Sequence, residues 1–295
     1  MINYSINIFV NLFFYVKNLS IQQRIYILYI NYIQKYLLNI NSLIGDKIIK
    51  MLAPMAGITD GNFALKLIPY GFDVVSIGGY NTDFQTIAAG KKILERGRNE
   101  FDIEKENLPY VIKKEIRLIK NKYPRVKISL NLRAAFPDSI INLVNIVDVD
   151  KIDIIEINSH CKQEELLKIG CGQEMLHSPN RLGKFIKKVV NDLPDKKVSI
   201  KVRSNVKGVD DLNIAKIIEK VGADYLHIDA MKPGCFEADL NIITKIANET
   251  DIFIIGNNSI TNSVLGKKMI NAGASGVSIA REAINGKLNF DISKI

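Results

Sequence analysis

Tryptophan is absent from this 295-residue chain, and cysteine and histidine are scarce, with three residues of each. Cys161, Cys171 and Cys235 are too few and too odd a set for a disulfide framework, which fits a reducing, cytoplasmic setting. His160, Cys161, Cys171 and His177 fall near one another. They lack the C-x2-C or H-x3-H spacing of zinc sites, so no metal centre is expected. Long apolar runs are missing as well. Residues 1–16 carry no charge, but Asn3, Asn7 and Asn11 interrupt them, and a spanning helix needs ~20 predominantly apolar residues. Neither a basic leader region nor a small-residue cleavage site is present, and no membrane partner is expected. Acid is scarce in residues 1–50, where Asp46 faces Lys17, Arg24, Lys35, Lys47 and Lys50. That segment supplies +4 of the net +9 and leaves +5 for the rest. A modest positive field suits an anionic cofactor or an RNA backbone, and equally a generic basic surface.

Residues 1–45 are rich in Ile, Asn, Tyr and Leu and read as an N-terminal arm or an over-long start, since Met51 stands directly before the first motif. Removing residues 1–44 touches no expected strand and should leave a soluble barrel. From residue 46 to 295 the pattern is that of one domain. Short β-branched runs at Ile48–Ala53, Asp73–Ile77, Val126–Leu130, Ile152–Ile157, Val198–Val202, Tyr225–Ile228, Ile252–Ile255 and Gly276–Ile279 alternate with amphipathic runs such as Leu182–Asn191, Asp211–Val221 and Ser263–Ala272. Gly222 and Gly273 stop the last two. Eight strand–helix repeats in roughly 245 residues predict an α/β fold, a (β/α)8 TIM barrel with an N-terminal extra segment. An open doubly wound sheet is the alternative. It is disfavoured because no G-x-G-x-x-G turn follows the first strand.

Chemistry in such a barrel gathers at the C-terminal strand ends. After strand one come Ala53, Pro54 and Met55; after strand three, Asn131; after strand four, Asn158, Ser159, His160 and Cys161. Strand five carries Lys201 and Arg203, strand six carries His227, strand seven ends at Gly256 and Asn257, and strand eight at Ala280 and Arg281. Taken singly, most of these have ordinary readings as turn, core or loop residues. Lys201 is the exception, because a lysine in an apolar strand seldom lies buried without a partner. The loops after strands seven and eight form the usual phosphate site of these barrels, to which Gly256, Asn257, Ala280 and Arg281 would offer backbone N–H groups and a fixed charge.

From about Lys50 to Phe290 the sequence resembles the tRNA-dihydrouridine synthases, within the wider FMN barrels that include dihydroorotate dehydrogenase. Met51-Leu52-Ala53-Pro54-Met55-Ala56-Gly57-Ile58-Thr59-Asp60 is similar to the family's opening A-P-M-x-G-x-T-D. Asn158-Ser159-His160-Cys161-Lys162, then Gly170-Cys171-Gly172 and Ser178-Pro179, resemble its N-x-G-C-P loop. Lys201-Val202-Arg203 resembles K-x-R, His227 the His of H-G-R, Gly256-Asn257 the start of G-N-G, and Ala280-Arg281 its phosphate-binding G-R. The departures are His160 and Lys162 around the cysteine, Ile228-Asp229 in place of Gly-Arg, Asn258 in place of Gly, and Asn131 where a Gln is usual.

The resemblance implies FMN, reduced by NAD(P)H, exchanging hydride with C6 of a pyrimidine while Cys161 supplies or removes the proton at C5. Ala53, Pro54, Met55, Asn131, Asn158, Lys201, His227, Gly256, Asn257, Ala280 and Arg281 would hold the cofactor. The substrate is then a pyrimidine, in tRNA or free. Family members carry a further helical domain that grips tRNA, and this sequence ends soon after the eighth strand. RNA binding is therefore expected to be weak and steeply salt-dependent. Two rival readings are dihydroorotate dehydrogenase-like oxidation of a free small molecule and a non-catalytic flavin- or nucleotide-binding barrel.

Overall fold

Alternation along the strands decides how this barrel is filled. Successive strand residues point to opposite faces, and in β3 the order Ser129-Leu130-Asn131-Leu132-Arg133 sends polar side chains one way and leucines the other. The structure, a computed structural model, describes residues 48–147 and 152–295. The segment read as an N-terminal arm lies outside them. In chain order the elements are β1 (Ile49–Leu52), α1 (Gly61–Leu67), β2 (Val74–Asn81), α2 (Phe84–Glu95), α3 (Leu108–Lys122), β3 (Lys127–Arg133), α4 (Pro137–Ile146), β4 (Ile154–Ser159), α5 (Glu164–Leu167), α6 (Pro179–Asp192), β5 (Lys197–Arg203), α7 (Asp211–Lys220), β6 (Tyr225–Asp229), α8 (Leu240–Glu249), β7 (Phe253–Asn257), α9 (Ser263–Asn271) and β8 (Gly276–Ile279). All eight strands are parallel neighbours in sequence order, and β8 closes on β1 through Ile49↔Gly276 to Leu52↔Ile279. The expected (β/α)8 barrel is the observed fold.

Two cores follow from the alternation. Outward-facing Leu52, Val75, Ile128, Leu130, Ile155, Ile200 and Val277 join the helices in the main apolar cluster. Inward, the floor of the barrel is apolar, built on Met51, Val74, Ile154 and Ile255. One step up each strand the interior becomes polar: Ser76, Ser129, Glu156, Ser199, His227 and Ser278 are all fully buried. One further step reaches the mouth.

The opening motif is largely structural. Thr59 Oγ1 accepts from Met55 N (2.8 Å) and donates to Gly78 O (3.0 Å), tying the first loop to β2. Asp60 caps α1 by accepting from Phe63 N (2.7 Å). Gly57 has φ +71 and the Glu100 backbone packed where a Cβ would stand. That close approach brings the segment before Glu100 across the barrel mouth.

Candidate active site

The C-terminal mouth holds a cavity of about 870 Å³, within the usual range for a cofactor site. Of the residues expected to hold a ligand, Pro54, Met55, Asn131, Asn158, Cys161, Lys201, Asn257, Ala280 and Arg281 line it together. Ala53, His227 and Gly256 do not. Ala53 is fully buried, its N–H spent on Ile279 O. Gly256 faces outward, and a Cβ there would strike Met269 of α9, so its smallness serves strand–helix packing. His227 is sealed one layer below the mouth, because β6 runs two residues further, to Asp229, and the rim position belongs to that carboxylate. Expecting the strand to end at Ile228 put the wrong residue at the rim.

His227 belongs instead to a chain of buried hydrogen bonds. Glu156 accepts from Asn131 Nδ2 (2.8 Å), Ser199 Oγ (3.0 Å) and His227 Nδ1 (2.7 Å). With Nδ1 donating, Nε2 accepts from Ser278 Oγ (2.6 Å), which itself accepts from Asn257 Nδ2 (2.7 Å). Asn158 Nδ2 donates to Asn131 Oδ1 (2.9 Å). The amides of Asn131, Asn158 and Asn257 are thereby fixed in orientation from below. The order Ser278–His227–Glu156 is that of a hydrolase triad, but the Ser278 hydroxyl is fully buried and its hydrogen bonds are spent.

Charge in this layer is balanced. Burial alone would raise the Glu156 carboxyl, but His227, Lys201 and Asn131 outweigh it and hold it at about 2. Burial lowers Lys201 and His227 below their ordinary values, with Glu156 opposing the shift in both. Lys201 is 3% exposed and lines the cavity, yet its ammonium makes no hydrogen bond among the described residues. A buried cation left open in this way calls for an acceptor on a ligand.

Cys161 sits in a turn organised by Asn158, whose Oδ1 accepts from His160 N (3.2 Å) and Cys161 N (3.0 Å). Gly172, at φ +62, lets the following loop fold against the Cys161 carbonyl, which accepts from Gln173 N (2.9 Å). That explains the Gly170-Cys171-Gly172 spacing. Cys161 packs towards Ala89, Ile93, Ala135 and Leu166, and is close enough to the Arg133 guanidinium to feel its charge. Arg133 is itself buried and paired with Glu100 (2.7 Å). The neighbouring Cys171 is sealed, and burial pushes its thiol up to about 12, so it is inert.

Arg133 and Asp229 are mouth residues that the strand-end reading passed over, and His160 and Asn258, which it named without a role, stand there with them. Period-two counting would have found the two that were missed, since Arg133 and Asp229 each stand two residues beyond an inward-facing Asn131 or His227. His160 Nε2 lies 2.7 Å from Asp229 Oδ2; Arg203 NH2 is 3.1 Å from both atoms, and Asn258 Nδ2 donates to Asp229 Oδ1 (2.6 Å). Burial would raise Asp229, but His160, Arg203 and Asn258 hold it well below the usual carboxylate range. Burial pushes the His160 imidazole down to about 4, against the pull of Asp229.

A pH dependence follows from the depressed imidazole. The unfolded chain binds a proton at His160 near pH 6.5, the native protein only near 4. Stability present above about pH 6.5 is therefore lost as pH falls towards 4. Urea titrations across that window should show the decline, and His160→Asn should flatten part of it. An unchanged slope in the variant would show that the imidazole is not held neutral.

Among the described residues, no group of three or more His, Cys, Asp or Glu is placed to hold a metal, and no helix is long and apolar enough to cross a membrane. Residues 104–288 match the family model described as dihydrouridine synthase (Dus). An uncharacterized protein of Methanocaldococcus jannaschii is 36% identical over 245 residues, which are 81% of this chain and 91% of that protein. A tRNA-dihydrouridine synthase B of Pasteurella multocida is 24% identical over 82% of this chain and 67% of its own length. Among solved structures, a DHODH of Eimeria tenella in complex with ferulenol shares the fold, with TM-score 0.58, 14% identity and coverage of 80% of this chain and 76% of that one. FabK from Thermotoga maritima does so with TM-score 0.51, 14% identity and coverage of 79% and 58%. The closed barrel, the cavity at its mouth and a family match over most of the chain agree: this protein belongs to the dihydrouridine synthase family.

Proposed function

We propose that the chain is an FMN-dependent oxidoreductase that reduces the C5–C6 bond of a uridine in tRNA, with NAD(P)H as reductant, in the cytoplasm. The observation that carries this reading is the buried Lys201 ammonium, without a hydrogen-bond partner among the described residues, in a cavity that Cys161 also lines. Family membership and the tRNA-dihydrouridine synthase B relatives support the substrate class.

The residues fit the cofactor. Asn257 and Arg281 line the cavity at the ends of β7 and β8, and Asn258 (φ 110) and Ser259 (φ 54) adopt left-handed backbone there. These residues and the Arg281 side chain would take the phosphate. Lys201 would face the pyrimidine edge of the flavin, where a cation favours the reduced form. Bound FMN would supply hydride chemistry. Cys161 would hold the proton exchanged at C5, and Asn131 and Asn158 would orient polar groups of the ligands.

Purified protein should show the two absorption bands of an oxidised flavin, and unmodified tRNA incubated with it and NADPH should lose uracil absorbance. Protein that neither carries nor takes up flavin would refute the cofactor reading. Arg281→Ala should weaken FMN retention by about 1.5–3 kcal/mol, the worth of a charge-assisted contact. Equilibrium dialysis of FMN against both proteins measures this difference, and equal affinities would move the phosphate elsewhere in the cavity.

A further inference from the structure

His160 and Cys161 are adjacent in sequence but diverge in space. Cys161 turns towards α2 and the β3 side, while the His160 ring reaches Arg203 and Asp229 on β5 and β6. The two side chains therefore approach the cavity from different sides, and the imidazole has its own task.

Its tautomer follows from the contacts. Two contacts compete for Nε2: Arg203 NH2, a donor, lies 3.1 Å away, and the Asp229 anion lies closer, at 2.7 Å, where an unprotonated Nε2 would set two lone pairs face to face; Arg203 NH2 can turn its N–H to the same carboxylate oxygen, so the anion decides. Nε2–H therefore donates to Asp229, and Arg203 NH2 also pairs with the carboxylate. The other ring nitrogen, Nδ1, has no hydrogen bond among the described residues and is not a sealed atom. It opens on the cavity that His160 lines. Because burial keeps the ring neutral near pH 7, Nδ1 presents a lone pair. Next to the ring, with NH2 3.1 Å from Nε2, stands Arg203, which also lines the cavity and carries only donors, one of which, Nε, is buried without a partner. An acceptor next to donors is the complement of an imide edge, in which an N–H lies between two carbonyls.

We propose that Asp229 locks His160 in the tautomer whose Nδ1 accepts the N3–H of a uracil ring, so that this pair selects uracil over cytosine. This rests on the pyrimidine reading of the site. Cytosine offers a lone pair at N3, which would face the Nδ1 lone pair. Recognition by a fixed tautomer is also a device that one carboxylate controls. In Asp229→Asn, Asn258 Nδ2 still donates to the position of Oδ1 and favours the amide oxygen there. The amide NH2 then faces Nε2 and displaces Arg203 NH2, which pairs with that position in wild type, and the ring proton moves to Nδ1.

The test titrates uridine, 3-methyluridine and cytidine into the purified flavin-bearing protein by calorimetry. Wild type should bind uridine at least ~10-fold more tightly than 3-methyluridine or cytidine, since a buried acceptor left unpaired is costly. Asp229→Asn should bring uridine and cytidine to within about threefold or reverse their order, as expected when an acceptor becomes a donor. His160→Phe, which keeps a ring, should abolish the discrimination. These are ratios, so a variant that is merely misfolded would weaken all three ligands together and leave the wild-type result standing as the test. Uridine and 3-methyluridine binding wild type equally would overturn the proposal alone. Wild type binding none of the three would overturn it together with the pyrimidine reading.

Discussion

Cys161→Ala is expected to retain flavin and to lose turnover of the pyrimidine substrate by ~10²-fold or more, the usual contribution of a positioned acid or base. Cys161 and Cys235 both line the mouth cavity with Lys201, but Cys235 stands on the exposed loop after β6, whereas Cys161 is half-buried in the turn after β4; Cys171 is sealed. Cys161 packs on the Ala89, Ile93, Ala135 and Leu166 cluster, near the Arg133 guanidinium. Flavin reduction by NADPH should be unchanged in the variant, because nothing in the proposed phosphate or Lys201 contacts is touched. Stopped-flow measurement of the two half-reactions separates these effects. Equal reoxidation of reduced protein by substrate in wild type and Cys161→Ala would assign the proton to another group, and His160 would be the first to examine.

The barrel was legible in the sequence because eight β-branched runs alternate with helices at regular spacing, and tertiary structure had nothing to override. What the runs did not show was where each strand stops. β2 continues to Asn81 beyond the expected Ile77, and β6 to Asp229 beyond Ile228. In most parallel sheets both faces are apolar, and an apolar run ends where polar residues begin. Here the inward face turns polar while the strand continues, so polarity marks height in the barrel and not the strand's end. Taking the residues at the expected strand ends as the rim picked Asn131 and Lys201, which line the cavity, but set His227 one layer too high. The ligand sphere on β7 was half legible for a related reason. Asn257 and Gly256 alternate in facing, so only one of two neighbours can point into the mouth.

The interior polar layer makes its own demand on stability, and Glu156→Ala tests it. Glu156 is the single anion in a fully buried layer that faces Lys201 above and receives hydrogen bonds from Asn131, Ser199 and His227. Removing it leaves a buried ammonium without its larger counter-charge, with only Asp229 remaining, and three donors without an acceptor. Breaking a buried pair from one side costs roughly 3–5 kcal/mol, because the remaining charge stays desolvated. For a domain of this size, that should lower the melting temperature by about 6–20 °C. Glu156→Gln separates charge from packing. Its amide oxygen can still serve Asn131, and its NH2 would push the His227 proton to Nε2 and reverse the direction of the hydrogen bond to Ser278. Most of the fold stability should return in this variant. Lys201, left with Asp229 as its counter-charge, should then shed its proton more readily than in wild type, and flavin retention should fall even though the barrel is intact. The acid side gives a further check on the same group. Glu156 titrates at about 2 in the folded protein and near 4.3 unfolded, so its contribution is complete above about pH 4.3 and is lost as pH drops towards 2. A Glu156→Ala barrel that melts within about 1 kcal/mol of wild type would mean that water enters the layer and neutralises the lost pair, and the interior would then be wet where the contacts indicate a closed polar network.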